Sequence, residues 1–81
     1  MRVIIEESAY RDLRRIDTHT VKTILLKLKE LENYPMTPNV KKLKKHYPPM
    51  RYRIGSYRVL FEIVEDTLRV INIKHRKEAY K

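Results

Sequence analysis

Apolar positions along the chain come in short clusters, with no run longer than three residues: Val3-Ile4-Ile5, Ile24-Leu25-Leu26 and Val59-Leu60-Phe61. Residues 2–5, rich in β-branched types, read as a short strand that ends at the acidic pair Glu6-Glu7. Ser8 offers an N-cap for a short helix whose stripe carries Ala9, Leu13 and Ile16, with Tyr10 beside it. Asp17-Thr18-His19-Thr20 interrupts that pattern and can cap a second helix. There Val21, Ile24, Leu25, Leu28 and Leu31 recur at the i, i+3, i+4 spacing, and the lysines and glutamates between them fall mostly on the other side. This helix should stop near Asn33-Tyr34-Pro35, because a proline disfavours helix at the residue before it.

Residues 35–49 hold all four prolines and the run Lys41-Lys42-Leu43-Lys44-Lys45, a pattern that predicts a connection and no core element. Beyond it the period changes to two. Met50 to Ile54 and Tyr57 to Val64 flank Gly55-Ser56, which suits a type II′ hairpin with glycine first. Ile54 then pairs with Tyr57, Arg53 with Arg58 and Tyr52 with Val59. A second tight turn at Glu65-Asp66 pairs Val64 with Thr67, Glu62 with Arg69, Leu60 with Ile71 and Arg58 with Ile73. Alternation puts Met50, Tyr52, Ile54, Tyr57, Val59, Phe61, Ile63, Leu68 and Val70 on a core face beneath the helices. Arg51, Arg53, Arg58, Leu60, Glu62, Arg69, Ile71 and Ile73 fall on the other face, where the three apolar residues need cover. The expected fold is α+β: an N-terminal strand, a two-helix hairpin and a three-strand antiparallel meander, forming one sheet packed on the helices. At 81 residues, a single domain spanning 1–81 is expected.

Charge sharpens the picture. The net charge is +9, and between residues 33 and 61 there are seven basic residues and no acidic one. A basic C-terminal stretch, Lys74-His75-Arg76-Lys77, follows with no acid near Lys74 or Arg76 in the expected sheet. The composition also removes whole classes of chemistry. With no cysteine there is no thiolate nucleophile, disulfide or thiolate zinc site, and a single glycine leaves no Gly-rich phosphate loop. The histidines, His19, His46 and His75, are 27 and 29 residues apart and give no local metal-binding spacing. No cofactor and no metal are expected. No apolar run suffices for a spanning helix or a signal peptide, so no membrane role and a cytoplasmic location are expected.

Arg53 opposite Arg58 would repel by up to ~1 kcal/mol if stability alone were served. The pair suits an anion held between two guanidinium groups; otherwise both splay into water or reach carboxylates elsewhere. A basic face with Tyr and His at its edge and no metal or thiol points to phosphate-bearing polymers, RNA above all. An RNA 2′-hydroxyl can attack its own phosphorus without a metal, given a proton acceptor, cations for the phosphorane and an acid for the 5′-oxygen. Tyr80 or His75 can move protons, Arg58 with Arg53 can hold the phosphorane, and Arg76 or Lys74 can sit near the leaving group. The same face equally fits passive RNA binding, with rings stacked on bases and arginines on phosphates.

Tyr52-Arg53-Ile54-Gly55-Ser56-Tyr57-Arg58-Val59-Leu60-Phe61, preceded by Val40-Lys41-Lys42-Leu43 and followed by the Glu65-Asp66 turn and His75-Arg76-Lys77-Glu78-Ala79-Tyr80, resembles the RelE/ParE toxin superfamily. The likeness runs over essentially the whole chain and is greatest to the RelE-type mRNA interferases. It implies the toxin of a type II toxin–antitoxin pair, a metal-independent endoribonuclease that enters the ribosomal A site and cleaves mRNA there, leaving a 2′,3′-cyclic phosphate or its opened form. It implies three partners: a cognate antitoxin that wraps the toxin, the ribosome and mRNA. By the resemblance Arg58 stabilises the phosphorane and Tyr80 takes part in proton transfer. Arg51 and Arg53 match basic residues on the strand before the hairpin turn, and Lys74 or Arg76 matches those preceding the tyrosine. Lys41, Lys42, Lys44 and Lys45 match a region that contacts ribosomal RNA. Several relatives continue past the tyrosine into a last helix, whereas one residue follows Tyr80 here. The ParE branch of the same fold inhibits DNA gyrase without cutting RNA, and it stands as the alternative, beside a non-catalytic RNA binder.

Overall fold

The computed structural model describes residues 1–78. Strand β1 (Arg2–Ile5) leads into helix α1 (Glu7–Leu13), then helix α2 (Thr18–Leu28), which tightens into a 3-10 turn over Lys29–Asn33. Strands β2 (Val40–Lys42), β3 (Met50–Ile54), β4 (Tyr57–Val64) and β5 (Thr67–His75) follow. They make one sheet in the order β1-β5-β4-β3-β2, with β1 parallel to β5 and every other pair antiparallel. The α+β class and the order of elements are as the pattern predicts, with one strand more. β2 was expected to be part of the proline-rich connection. Its three residues pair with Tyr52, Arg51 and Met50, and Asn39, at φ 67°, makes the bend that turns the chain into the sheet edge.

Helix α2 begins where expected, because the Asp17 carboxylate accepts from the Thr20 N–H at 3.0 Å and from its hydroxyl at 2.7 Å. Those bonds hold the Asp17 carboxyl below its ordinary range. Helix α1 departs from expectation. Glu6 occupies the N-cap position without a side-chain cap, and Ser8 lies inside the helix with its hydroxyl on the Ile71 carbonyl. The core joins Ala9, Leu13, Ile24, Leu28 and Leu31 to Tyr52, Val59, Phe61, Leu68, Val70 and Ile73 of the sheet. Met50, Ile54, Tyr57 and Ile63 pack at its margin, so all nine expected core-face residues point to the helices. Tyr52 is 3% exposed, and its hydroxyl donates to Glu30 Oε2 at 2.8 Å. Burial, together with that bond to a carboxylate, pushes its phenol up to about 12.

The β3–β4 register is as derived, with Gly55 at φ 56° in the turn. The β4–β5 register holds for Val64 with Thr67 and Glu62 with Arg69 and then slips by one residue between Leu60 and Phe61. Ile71 is the extra residue of this bulge, so Leu60 faces Asn72 and Arg58 faces Lys74. The expected pairs Leu60 with Ile71 and Arg58 with Ile73 are thereby corrected. Ile73 turns into the core, 2% exposed, and leaves the outer face to Asn72 and Lys74. Leu60 stays on the outer face but is only 3% exposed. Residues 43–49 fold back toward that face, closed by the Leu43 N–H on the Pro49 carbonyl, and the neighbouring Glu62 carboxylate raises the Tyr47 phenol above its ordinary range.

Candidate nucleic-acid interface

Charge on the outer face is segregated along the strands. Toward the Glu65-Asp66 turn, Arg69 Nη1 donates to Glu62 at 2.7 Å and its Nη2 to Glu6 at 3.1 Å, so one cation is shared by two acids. Toward the Gly55-Ser56 turn, cations line up across three strands. Arg53 on β3 stands opposite Arg58 on β4, and Arg58 stands opposite Lys74 on β5. One pleat away, Lys41 on β2 faces Arg51 on β3. Five basic side chains from four strands thus share one end of one face, and all three of these cross-strand pairings set like charges side by side. Such neighbours cost stability unless an anion answers them.

The individual side chains are held differently. Arg58 Nη1 donates to the Gly55 carbonyl at 2.9 Å and to the Tyr57 carbonyl at 3.0 Å, so the guanidinium is braced on the hairpin turn. Arg53 is exposed, whereas Arg51 is partly buried, its Nε shielded and without a hydrogen-bond partner among the described residues. An orphaned donor of a planar fork in a cationic cluster is a place where an anionic oxygen would repay the desolvation. Lys74 was expected to have no acid nearby. The structure corrects this: its Nζ lies 3.0 Å from Asp12 Oδ1 of α1. The acid is remote in sequence, which is why a local count misses it.

His75 is set apart from the row. One residue beyond Lys74, it faces the helix side opposite Tyr57, with ring centroids 5.4 Å apart and planes at 81°. Its Nδ1 accepts from the Lys77 N–H at 3.3 Å. Arg76 is exposed just past the strand end, anchored by its N–H on the Ser56 carbonyl at 2.7 Å, which brings the C-terminal approach beside the hairpin turn that braces Arg58. Tyr80, the other candidate for proton transfer, lies outside the described residues. Lys41, Lys42, Lys44 and Lys45 are all exposed, the first two on β2 and the last two in the turn that follows, where Lys45 has φ 51°. They extend the cationic end of the face around the sheet edge.

This geometry sits on a shared fold. Residues 3–80 match the family described as the ParE toxin of the type II toxin–antitoxin system. The chain is 30% identical to Toxin RelE3 of Methanocaldococcus jannaschii over 84 residues, covering 99% of this chain and 96% of that protein. The RelB-RelE antitoxin–toxin complex of Methanococcus jannaschii holds a similar chain, with a TM-score of 0.75, 27% identity and 91% of each chain covered. The RelBE2 toxin–antitoxin complex of Mycobacterium tuberculosis shares the fold, with a TM-score of 0.76 at 22% identity over 93% of this chain and 96% of that one. A cationic sheet end, a two-helix cover and these matches along nearly the full length lead to one conclusion: the chain belongs to the RelE/ParE superfamily of type II toxin–antitoxin toxins.

Proposed function

We propose that this toxin is an mRNA endonuclease that acts in the ribosomal A site. The observation that carries the reading is the row Arg53, Arg58 and Lys74 across β3, β4 and β5, where the fold concentrates cations on a rigid sheet. In the reaction a 2′-oxygen attacks the adjacent phosphorus while its proton passes to a base. The bond to the 5′-oxygen breaks, that oxygen takes a proton, and a 2′,3′-cyclic phosphate remains. Charge grows on the two non-bridging oxygens as the 2′-oxygen adds. Arg58, braced by two carbonyls, presents its remaining donors there, and a pre-aligned fork needs no reorganisation at the moment of attack. Arg53 and Arg51 add positive potential from β3, which favours that charge. Arg76 or Lys74 is assigned to the leaving group, as the basic residues that precede the terminal tyrosine in the sequence. His75 faces the other side of the sheet, so proton transfer falls to Tyr80, whose part rests on the sequence alone.

The lysines at 41, 42, 44 and 45 supply affinity for ribosomal RNA, as exposed point charges on a sheet edge do for phosphates. A cognate antitoxin completes the assignment. The similar chains of Methanococcus jannaschii and Mycobacterium tuberculosis are described as complexes with an antitoxin, and a segment rich in acidic and apolar residues would fit the face around Arg51, Arg53 and Arg58. An open face in such a complex would remove that pairing.

The deciding experiment incubates the purified toxin with programmed ribosomes and end-labelled mRNA and maps the new 3′ ends. Discrete cuts at the A-site codon are the expected result. Intact mRNA together with inhibited gyrase supercoiling would transfer the assignment to the ParE type, which the family match itself makes the second reading.

A further inference from the structure

Strand β1 stops at Ile5, opposite Val70, so among the described residues the β5 edge beyond Val70 lacks a neighbouring strand. Helix α1 takes that place. Glu6 N–H bonds the Val70 carbonyl at 2.9 Å, the Ser8 hydroxyl reaches the Ile71 carbonyl, and one turn further Asp12 meets the strand end. Its Oδ2 accepts from the Ile73 N–H at 2.9 Å and from Asn72 Nδ2 at 3.3 Å, while its Oδ1 accepts from Lys74 Nζ at 3.0 Å. Three consecutive residues of β5 therefore converge on one carboxylate whose side chain is 11% exposed. An edge needs only one acceptor for the Ile73 N–H, which a serine or asparagine would supply. The full charge is accounted for by the ammonium of Lys74, one strand across from Arg58.

We propose that Asp12 is a positioning residue for phosphate chemistry, a role that rests on the endonuclease reading above. It fixes the Lys74 ammonium at the β5 edge, clear of the Arg58 guanidinium, so that the two cations flank a phosphate from different sides. Without this anchor Lys74 is a flexible four-carbon stem beside a like charge, and its ammonium loses a defined position relative to the scissile bond. The same carboxylate, through the Ile73 N–H, sets the strand end from which residues 75–78 depart toward the hairpin turn. Misplacement of a positioned group by about an ångström can cost up to ~100-fold in rate.

The test is a double-mutant cycle between Asp12→Asn and Lys74→Met, with single-turnover cleavage measured on saturated ribosomes and ribosome affinity and thermal unfolding measured in parallel. Asparagine keeps the side-chain size and the acceptor for Ile73, so the fold is retained. Asp12→Asn should slow cleavage by about tenfold with affinity unchanged. In the Lys74→Met background the same change should have little further effect, and Lys74→Arg should recover part of the rate only when Asp12 is present. Losses that multiply in the double variant, or an Asp12→Asn toxin that cuts at the wild-type rate, would overturn the inference and leave the endonuclease reading standing. If Asp12→Asn is unstable, Lys74→Met alone decides, because wild-type cleavage by that variant overturns the inference as well. A wild-type toxin that leaves ribosomal mRNA whole would overturn both.

Discussion

Arg58 carries the largest expected effect on cleavage, and the structure separates its chemical cost from its structural one. Arg58→Ala removes two hydrogen bonds from Nη1 to the Gly55 and Tyr57 carbonyls, both at the partly exposed end of the hairpin. Carbonyls so placed can turn to water, so each bond contributes at the low end of the usual range, about 0.5 kcal/mol. Against that, the change relieves the repulsion from Arg53 directly opposite, worth up to ~1 kcal/mol, Lys74 on the other flank being paired with Asp12. The two terms nearly cancel, and the unfolding free energy should move by less than about 1 kcal/mol, or roughly 5 °C in melting temperature. Catalysis should fall by ~100-fold or more, the scale of losing one preorganised donor, equivalent to about 2.7 kcal/mol. A domain with some 5 kcal/mol of stability stays almost wholly folded after losing 1, so unfolding cannot imitate a loss of that size. The assay is single-turnover cleavage of labelled mRNA on saturating ribosomes, with calorimetric unfolding of the same preparations. Arg58→Lys should recover only part of the rate, because a point charge lacks the fork that spans two phosphate oxygens. Near-wild-type cleavage by Arg58→Ala would refute the assignment, and a parallel collapse of stability would make the arginine structural.

Neutralising Lys41, Lys42, Lys44 and Lys45 together should weaken ribosome binding and flatten its salt dependence, with single-turnover cleavage on pre-bound ribosomes retained; loss of that rate would place one of them in the chemistry. The phenol of Tyr52 is raised to about 12 in the folded protein against about 10 in an unfolded chain, so its contribution is complete below pH 10 and lost as the pH climbs toward 12. Urea titrations should show stability falling through that window by about 2 kcal/mol more in the wild type than in Tyr52→Phe, and parallel curves would contradict the burial of the phenol and its bond to Glu30. Glu65 holds φ 58° at the β4–β5 turn, where glycine has no Cβ to crowd the backbone; Glu65→Gly should raise the unfolding free energy by about 0.5–1 kcal/mol, and a loss would show that the turn is held by the glutamate side chain.

What could be read from the chain alone was whatever local periodicity encodes. The nine core-face residues of the meander follow from alternation about two short turns, and the start of α2 follows from Asp17, whose carboxylate has donors within three residues. β2 was not legible, since three residues between prolines show no period and become a strand only through the partner edge of β3. Ser8 misled for a related reason: a serine near a helix start satisfies the capping pattern, yet its hydroxyl found an acceptor on a strand 63 residues away. Identifying the cationic residues needed only the sequence, whereas knowing which of them are already engaged needed the fold. The acid that answers Lys74 is 62 residues distant.

The bulge in β5 shows how far one residue can move a site. Carried without interruption from the Glu65-Asp66 turn, the alternation puts Ile73 outward opposite Arg58 and sends Lys74 to the core side, where an ammonium would be costly. Leu68 and Val70 lie in one phase and Ile73 in the other, and Asn72-Ile73-Lys74 alternates polar, apolar, polar on its own. Two phases within one strand require an odd residue between them, and Ile71 is that residue. With it, Ile73 joins the core, Lys74 completes the row with Arg53 and Arg58, and His75 crosses to the helix side beside Tyr57. On the opposite edge of β5 the pairing with β1 ends at Val70, and Ser8 and Asp12 of α1 dock along the phase-shifted residues beyond it. The cationic row and its acidic anchor therefore have a common origin in a phase change written at residues 70–73.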